Sequence, residues 1–354
     1  MSSFFSKKYS ALVPYTPGEQ PKERKFIKLN TNESPFPPSP LAINGAKEES
    51  ERLNLYSDPE VRDLVSAAAE YLGVKKDEIL FTNGSDEILN FAFMAFCDSA
   101  HPAVFPDITY GFYKVFAQLN GIPYTEIPLR DDYTVNVADY LSVGKTVFLA
   151  NPNAQTGIAL PLSEIEKIVQ SNPDNIVVID EAYIDFGGES AVPLTEKYNN
   201  LLVTGTFSKS RSLAGARLGY GIASPELIRD LNTVKYSTNP YNVNRMTMAA
   251  GIGALADGEY FRHNCDEIKK TRAWTTAELT RLGFDVLPSS ANFVFARHKS
   301  VGGEEIYKKL RECGILVRHF TDKRLKDGNR VTIGSKEEMQ TLVNELENIL
   351  GDKI

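Results

Sequence analysis

The chain of 354 residues exceeds one typical domain, which predicts two domains and a large buried core. Its hydrophobic share of 42% and charged share of 24% are ordinary for a globular protein and exclude a disordered chain. The net charge of −7 excludes a general attraction to nucleic acid or to anionic membranes, but it leaves room for a local basic site that binds a small anion.

The first predicted element is an extended segment at a cluster of prolines, Pro35, Pro37, Pro38 and Pro40, which separates an N-terminal arm from the main body. Helical and strand patterns then alternate. The predicted helices are Val61 to Tyr71, Asp86 to Phe96 and Leu162 to Gln170; the predicted strands are Glu78 to Thr82, Thr146 to Ala150, Asn175 to Asp180 and Leu201 to Gly205. The strands are mostly continuous apolar runs, which is typical of an α/β fold whose sheet is covered on both faces.

The pattern changes near Asp257. A long predicted helix, Glu259 to Leu282, is followed by two strand–helix units that end in Leu342 to Leu350. We interpret this part as a smaller α/β domain. The predicted division is an arm over 1–40, a large domain over 41–257 and a small domain over 258–354.

Lys209 directly follows a predicted strand, in Thr206-Phe207-Ser208-Lys209. A lysine at a strand end of an α/β sheet faces the ligand crevice, and a partly desolvated amine can form an imine with an aldehyde cofactor. An isolated lysine is far more often a solvated loop residue. The neighbouring motifs therefore decide between the two interpretations.

Asp180 ends the strand before Lys209 and points to the same crevice. A carboxylate there can keep a pyridinium nitrogen protonated and make the ring an electron sink. Taken alone, Asp180 is equally a helix cap or a metal ligand. Tyr183 follows about one turn later and can donate to a ring hydroxyl.

A phosphate-binding turn is a further hypothesis. Gly84, Ser85 and Asp86 lie between a strand and a helix, where free backbone N–H groups and the helix dipole favour a phosphate. A plain N-cap by Ser85 or Asp86 explains the same residues. Arg217 lies eight residues after Lys209 and can supply a fixed charge. Tyr110 can stack on a planar cofactor, although an aromatic residue there is more often part of the core.

Thr206 to Lys209, followed by Leu213 to Tyr220, resembles the cofactor-lysine segment of fold-type-I pyridoxal-phosphate-dependent aminotransferases, and most closely that of the histidinol-phosphate aminotransferases. The other motifs occur in the family order from Leu29 to Gly334. They are Leu29 to Pro35 with Pro38 to Pro40, Tyr56 to Pro59, Asn83 to Glu87, Asn151 to Gly157, Val178 to Tyr183 and Arg330 to Gly334.

The resemblance implies a large domain with a mostly parallel mixed sheet between helices, a smaller α/β domain, and an arm that joins the small domain and covers the site. It implies pyridoxal 5'-phosphate bound covalently to Lys209, with Asp180 at the pyridine nitrogen. Tyr183 and Asn153 would contact the ring hydroxyl, and Tyr110 would stack on the ring. The implied phosphate ligands are Gly84, Ser85, Asp86, Thr206, Ser208 and Arg217.

The resemblance also implies a homodimer with shared active sites, because Tyr56 would reach the cofactor phosphate of the other subunit. The small-molecule partners would be an amino donor, L-histidinol phosphate, and a 2-oxo acid acceptor, 2-oxoglutarate. The implied substrate-binding residues are Tyr15, Asn32, Arg318 and Arg330. For Arg318, a surface ion pair is the competing interpretation.

Two motifs depart from the family pattern. The common Asn-Asn-Pro-Thr-Gly reads Asn153-Ala154-Gln155-Thr156-Gly157, so the second asparagine and the proline are replaced. The usual Tyr-Pro-Asp reads Tyr56-Ser57-Asp58, which keeps the tyrosine and loses some rigidity.

Cysteine usage and the N-terminal sequence predict a cytoplasmic protein. Cys97, Cys265 and Cys313 are too scattered for a disulfide framework or a zinc site, and a reducing compartment fits them. Lys7 and Lys8 are not followed by the apolar region of a signal peptide, and no apolar run approaches the about 20 residues of a membrane helix.

Other functions stay open at this point. The alternatives on the same scaffold are an aromatic-amino-acid aminotransferase and a threonine-phosphate decarboxylase. A non-catalytic cofactor-binding module of a transcription regulator would need a DNA-binding segment before the motifs, which begin at Leu29. A metal hydrolase using Asp180 is disfavoured and no metal is expected, since His101, His263, His298 and His319 show no ligand spacing.

Overall fold

A computed structural model describes residue 2 and residues 4–351 of the chain. The strands are β1 (Ile27–Leu29), β2 (Ile79–Asn83), β3 (Ala103–Pro106), β4 (Tyr124–Ile127), β5 (Thr146–Ala150), β6 (Val177–Asp180), β7 (Leu201–Thr206), β8 (Leu218–Ile222), β9 (Phe284–Val286), β10 (Phe293–His298), β11 (Ile315–His319) and β12 (Gly328–Thr332). The helices are α1 (Pro40–Ser50), α2 (Arg62–Leu72), α3 (Ser85–Phe96), α4 (Phe112–Asn120), α5 (Leu162–Ser171), α6 (Pro225–Thr238), α7 (Arg245–Ala256), α8 (Gly258–Arg281), α9 (Gly303–Glu312) and α10 (Lys336–Gly351).

The larger sheet has seven strands in the order β2-β8-β7-β6-β5-β3-β4. All neighbours are parallel except β8, which runs antiparallel to both β2 and β7. In register, Ala150 of β5 lies beside Asp180 of β6, and Asp180 lies beside Thr204 of β7. Because parallel strands end at one edge of the sheet, the polar residues after β5, β6 and β7 share a single crevice.

Apolar side chains cover both faces of this sheet, which confirms the predicted α/β class. Phe148 and Leu202 pack in one core with α3 and α6, whereas Val147 and Val203 pack in another core with α5. The middle strands therefore carry apolar residues on both faces over most of their length, since neither face contacts water.

The smaller sheet has five strands in the order β1-β11-β12-β10-β9. β1, from the N-terminal part of the chain, pairs in parallel with β11, and the other pairs are antiparallel. Residues of α8, α9 and α10 pack in one core with this sheet. The domain boundaries at 40 and 257 stay a prediction.

The proline cluster differs from its prediction at its last residue. Pro40 is the first residue of α1, and the hydroxyl oxygen of the preceding Ser39 accepts a hydrogen bond from the Ala42 N–H at 3.2 Å. Proline suits this position because its fixed φ is helical and the N–H that it lacks would have no intrahelical partner there. Among the residues described, no helix has the length and apolar character to cross a membrane.

Candidate active site

A cavity of about 230 Å³ lies where β6 and β7 end. The predicted site residues that line it are Ser85, Asp86, Tyr110, Asp180, Tyr183, Thr206, Ser208, Lys209 and Arg217. Thr31, Glu33, Ala154, Ala182 and Ala214 also line the cavity, and the sequence argument had given them no role. Residues from distant parts of the chain therefore converge on one space.

Lys209 lies half-buried in this cavity. Its Nζ donates to the backbone oxygen of Thr31 at 3.3 Å and lies 5.9 Å from the centre of the Tyr183 ring. Burial, and after it the nearby Arg330 cation, lowers the pKa of the Lys209 amine to about 8. A substantial fraction of the amine is therefore neutral near pH 8, which is the nucleophilic and basic form.

Asp180 is buried, and three donors surround its carboxylate. The Tyr113 hydroxyl donates to Oδ2 at 3.0 Å, while the Ala182 N–H and the Thr204 hydroxyl donate to Oδ1 at 3.3 and 3.4 Å. Burial raises the pKa of Asp180 to about 6, against the opposing effect of the Tyr113 hydrogen bond. The group is thus mostly ionised at neutral pH and can pair with a cation in the cavity.

Tyr113 and Thr204 were missed by the sequence argument. Tyr113 comes three residues after Tyr110 on a helix, where an aromatic residue is normally part of the core. Thr204 lies inside a continuous apolar strand, and its position beside Asp180 comes only from the register of β6 and β7. The one sign of this polar contact in the sequence was the presence of a threonine within an otherwise apolar strand.

The Tyr183 hydroxyl is held by the segment that follows β1. Asn32 donates from Nδ2 to the Tyr183 hydroxyl oxygen at 2.9 Å, and its Oδ1 accepts from the Thr332 hydroxyl at 2.9 Å. The tyrosine therefore keeps its own proton available for a further acceptor. Asn32 is buried and bridges the two sheets.

The first turn of α3 forms the other end of the cavity. No side chain caps this helix, so its first N–H groups are not satisfied by Ser85 or Asp86, contrary to the N-cap interpretation. Instead, the Asp86 carboxylate pairs with Arg217 at 2.7 Å and accepts a short hydrogen bond from the Tyr110 hydroxyl. Arg217 also donates to the Ser208 hydroxyl oxygen at 3.4 Å.

Gly84 permits this close approach. Its φ of +81° is a conformation that side chains rarely adopt, and a Cβ at this position would overlap the Arg217 guanidinium. The glycine therefore lets Arg217 lie against the start of α3, where a helix N-terminus and a guanidinium together favour an anion.

Arg330 is a half-buried cation whose hydrogen-bond partners among the described residues are neutral oxygens. Nη1 donates to the Ala154 carbonyl at 2.8 Å and to Gln155 Oε1 at 3.2 Å, and Nη2 donates to the Asn30 carbonyl at 3.3 Å. Its Nε is buried without an acceptor. A charge withdrawn from water in this way is costly unless an anion compensates it.

Arg318 contacts the N-terminal arm. Its Nη1 and Nη2 donate to the carbonyls of Pro17 and Thr16 at 3.1 and 2.9 Å, and no surface ion pair of this residue is found in the described part of the chain. Tyr15, next in the arm, stacks on Phe112 of α4 with ring centres 4.3 Å apart. The arm therefore extends from β11 of the smaller sheet to α4, a helix that packs beside the larger sheet.

The predicted site residues that are not among those that line the cavity are Gly84, Asn153, Tyr56, Tyr15, Asn32, Arg318 and Arg330. The amide of Asn153 contacts backbone, donating to the Ile108 carbonyl at 2.9 Å and accepting from the Gln155 N–H at 2.9 Å, while Ala154 lines the cavity in its place. Tyr56 lies on the surface with 80% of its area exposed and stacks on Tyr241. A role for Tyr56 in a site therefore needs a second subunit.

Comparison with known proteins gives consistent matches over the whole chain. Residues 24–346 match the family model described as aminotransferase class I and II. The chain is 48% identical to a histidinol-phosphate aminotransferase of Brachyspira hyodysenteriae over 99% of both chains. It is also 48% identical to a histidinol-phosphate aminotransferase of Hydrogenovibrio crunogenus over 99% of both chains.

Among solved structures, the histidinol-phosphate aminotransferase of Sinorhizobium meliloti, crystallised in complex with pyridoxal-5'-phosphate, matches with a TM-score of 0.91. The match covers 100% of this chain and 99% of that one at 24% identity, which shows that the two share the fold. With the family model and the two full-length relatives, these findings confirm that the resemblance seen in the motifs extends over the complete chain. The chain belongs to the aminotransferase class I and II family.

Proposed function

We propose that this enzyme transfers the amino group of L-histidinol phosphate to 2-oxoglutarate, with pyridoxal 5'-phosphate as cofactor. The products are imidazole-acetol phosphate and L-glutamate, and the reaction is a step of histidine biosynthesis. Two full-length relatives with 48% identity carry the name of this activity. The observation that carries the proposal is the half-buried Arg330 cation, whose described hydrogen-bond partners are all neutral.

The residues of the cavity fit pyridoxal phosphate. A half-buried amine, a buried carboxylate, and a helix start beside an arginine lie in one space, supplied by Lys209, Asp180, and α3 with Arg217. When bound, the cofactor supplies an aldehyde carbon and an electron-withdrawing ring. Lys209 would hold it covalently, and Asp180 would pair with its ring nitrogen. The proposed phosphate ligands are Gly84, Ser85, Asp86, Thr206, Ser208 and Arg217.

Each polar residue of the site then has a physical task. The Lys209 amine, with its lowered pKa, is suited to accept and return the proton at the substrate Cα. The ionised Asp180 would stabilise a positive charge on the ring nitrogen of the cofactor. Tyr183, oriented by Asn32, would donate its free proton to an oxygen of the cofactor ring, and Tyr110 would stack on that ring.

Arg330 defines which substrates fit. Histidinol phosphate has a phosphate ester where an amino acid has its α-carboxylate, so one arginine can bind the phosphate of the donor and the carboxylate of the acceptor in turn. A guanidinium suits both because it presents paired donors to tetrahedral or planar oxyanions. Binding either anion would also compensate the charge of Arg330.

Two further parts of the proposal concern assembly and location. The enzyme would be a homodimer in which Tyr56 completes the partner's phosphate site, since its side chain is exposed and does not line its own subunit's cavity. It would work in the cytoplasm, where the three cysteines, all free in this structure, stay reduced.

A donor screen tests the function. The cofactor-loaded enzyme is mixed with histidinol phosphate, phenylalanine or tyrosine, with 2-oxoglutarate as acceptor, and turnover is followed by the absorbance of the cofactor and by glutamate formation. We expect the highest kcat/KM for histidinol phosphate. A higher kcat/KM for phenylalanine or tyrosine would replace this proposal with an aromatic-amino-acid aminotransferase, and release of CO₂ from threonine phosphate would indicate a decarboxylase.

A further inference from the structure

Gln155 connects the cofactor loop to the half-buried Arg330. Its Oε1 accepts from Arg330 Nη1 at 3.2 Å, and its Nε2 donates to the Thr109 carbonyl at 3.1 Å. Its backbone N–H donates to Asn153 Oδ1 at 2.9 Å. Both ends of the side-chain amide are therefore used, and the glutamine is fixed in one orientation.

We infer that Gln155 is a positioning residue that aims the Arg330 guanidinium at the substrate anion. This inference rests on the proposed function, in which Arg330 binds the phosphate or carboxylate. Gln155 itself is not among the residues that line the cavity and acts through Arg330. It stands at the position where the common family motif has proline, which offers no side-chain acceptor to an arginine.

The orientation follows from the geometry of the guanidinium. Nη1 is shared between the Ala154 carbonyl and Gln155, and Nη2 is held more loosely by the Asn30 carbonyl at 3.3 Å. Gln155 is thus the side chain that accepts a hydrogen bond from the group, while the rings of Phe293 and Phe320 lie 5.1 and 5.6 Å from its central carbon. A planar fork binds an oxyanion well only when its donors are aligned beforehand, because ordering it on binding costs affinity.

The neutrality of Gln155 matters as much as its position. An amide oxygen accepts a hydrogen bond and leaves the full charge of Arg330 available to the substrate. A glutamate in the same place would pair with the arginine and then repel the incoming phosphate or carboxylate. The amide therefore orients the cation without neutralising it.

The experiment compares wild type with Gln155→Met, which keeps the length but loses the acceptor, and Gln155→Glu, which adds a charge. Gln118→Met is the matched control, since Gln118 is a half-buried glutamine on α4 that donates to Tyr124 outside the site. The cofactor-loaded enzymes are titrated calorimetrically with glutarate, a dicarboxylate with neither a keto nor an amino group. KM and kcat are then measured for histidinol phosphate and 2-oxoglutarate, and thermal denaturation checks folding.

We expect Gln155→Met to weaken glutarate binding and to raise both KM values about tenfold, the effect of one lost hydrogen bond to a charged group. Its kcat should change by less than about threefold, because the lost interaction acts on binding. Gln155→Glu should weaken glutarate binding about a hundredfold through like-charge repulsion. Gln118→Met should bind glutarate like wild type.

Unchanged glutarate affinity in folded Gln155→Met and Gln155→Glu would overturn the positioning role. An equal loss in Gln118→Met would also overturn it, since the effect would then be one of general stability. A wild-type enzyme that ignores histidinol phosphate would instead refute the proposed function, and the glutarate titration would still decide the role of Gln155.

Discussion

At the scale of the residue, two desolvated lysines show that desolvation alone does not identify the functional amine. Lys209 and Lys235 both have a lowered pKa, and in both cases desolvation is the largest cause. Lys235 donates to the Pro59 carbonyl and holds a loop. Lys209 instead faces a cavity that it shares with Asp180 and lies near the second cation Arg330. The chemical context separates the two roles.

The pH dependence of covalent cofactor loading tests Lys209. The neutral amine attacks an aldehyde and the protonated amine does not, so the loading rate of the cofactor-free enzyme should rise with pH through about 8 and level off above it. A lysine with its ordinary pKa of 10.5 would still be gaining rate at pH 10. Stopped-flow absorbance after mixing with pyridoxal phosphate gives the profile.

Borohydride reduction and peptide mass spectrometry then identify the attached lysine. Lys209→Arg, which keeps the positive charge, should bind no cofactor covalently and should not transaminate. Reduction that labels another lysine, or a midpoint near 10, would contradict the assignment.

At the scale of the element, the N-terminal arm contacts elements that belong to both sheets' parts of the molecule. Glu19 pairs with Arg311 of α9 at 3.0 Å and accepts from the Tyr307 hydroxyl at 2.6 Å. Arg318 of β11 donates to two arm carbonyls, and Tyr15 reaches Phe112 on the other side. The arm thus makes its polar contacts with α9 and β11, next to the smaller sheet. Its aromatic contact is with α4, next to the larger sheet.

Replacing Arg318 with alanine should loosen this arm. Two hydrogen bonds from a charged group are lost, each worth about 1 kcal/mol, so amide exchange over residues 12–19 should accelerate about tenfold or more. Hydrogen–deuterium exchange with mass spectrometry measures this, and KM for histidinol phosphate should rise in parallel.

Arg324→Ala serves as the comparison, because Arg324 contacts Asp107 and the Arg130 carbonyl and none of the arm residues described. If Arg318→Ala left arm exchange at the wild-type rate while KM still rose, Arg318 would act on the substrate phosphate directly and not through the arm.

At the scale of the whole molecule, an exposed apolar surface surrounds Tyr56. Leu53, Leu55 and Tyr241 are also exposed. The loop itself is anchored, since Arg245 donates to the Tyr56 carbonyl at 3.0 Å and pairs with Glu49 at 2.6 Å. A fixed loop that presents apolar side chains to solvent is typical of a subunit interface.

Mixing two inactive variants tests shared active sites. Lys209→Ala and Tyr56→Ala enzymes should each be nearly inactive, but a mixed dimer holds one site with both defects and one intact site. Random exchange of subunits makes half of the dimers mixed, so activity should recover to about a quarter of wild type. Sedimentation should show a dimer throughout.

Activity that does not recover after verified subunit exchange would refute the shared site, as would full activity in a monomer. Tyr56→Phe extends the test, because it keeps the apolar contact and removes only the hydroxyl. We expect it to remain dimeric and to bind the cofactor phosphate more weakly.

The sequence by itself determined the class of fold and most of the cavity. Continuous apolar strands indicate a sheet that is covered on both faces. Asp180 ends one such strand and Lys209 comes shortly after the next, which places both residues at one edge of the sheet. These inferences depend on local order along the chain. The order of the motifs from Leu29 to Gly334 also indicated the family, and the full-length relatives confirm it.

The tertiary structure alone decided which side chains meet across long separations. Tyr113 contacts Asp180, Asn32 contacts Tyr183, and Gln155 contacts Arg330, and the residue numbers of the partners differ by 67, 151 and 175. In the tertiary structure the Asn153 amide also bonds to the backbone, and Ala154 lines the cavity in its place. Contacts of this kind depend on strand register and sheet packing, and no local pattern encodes them.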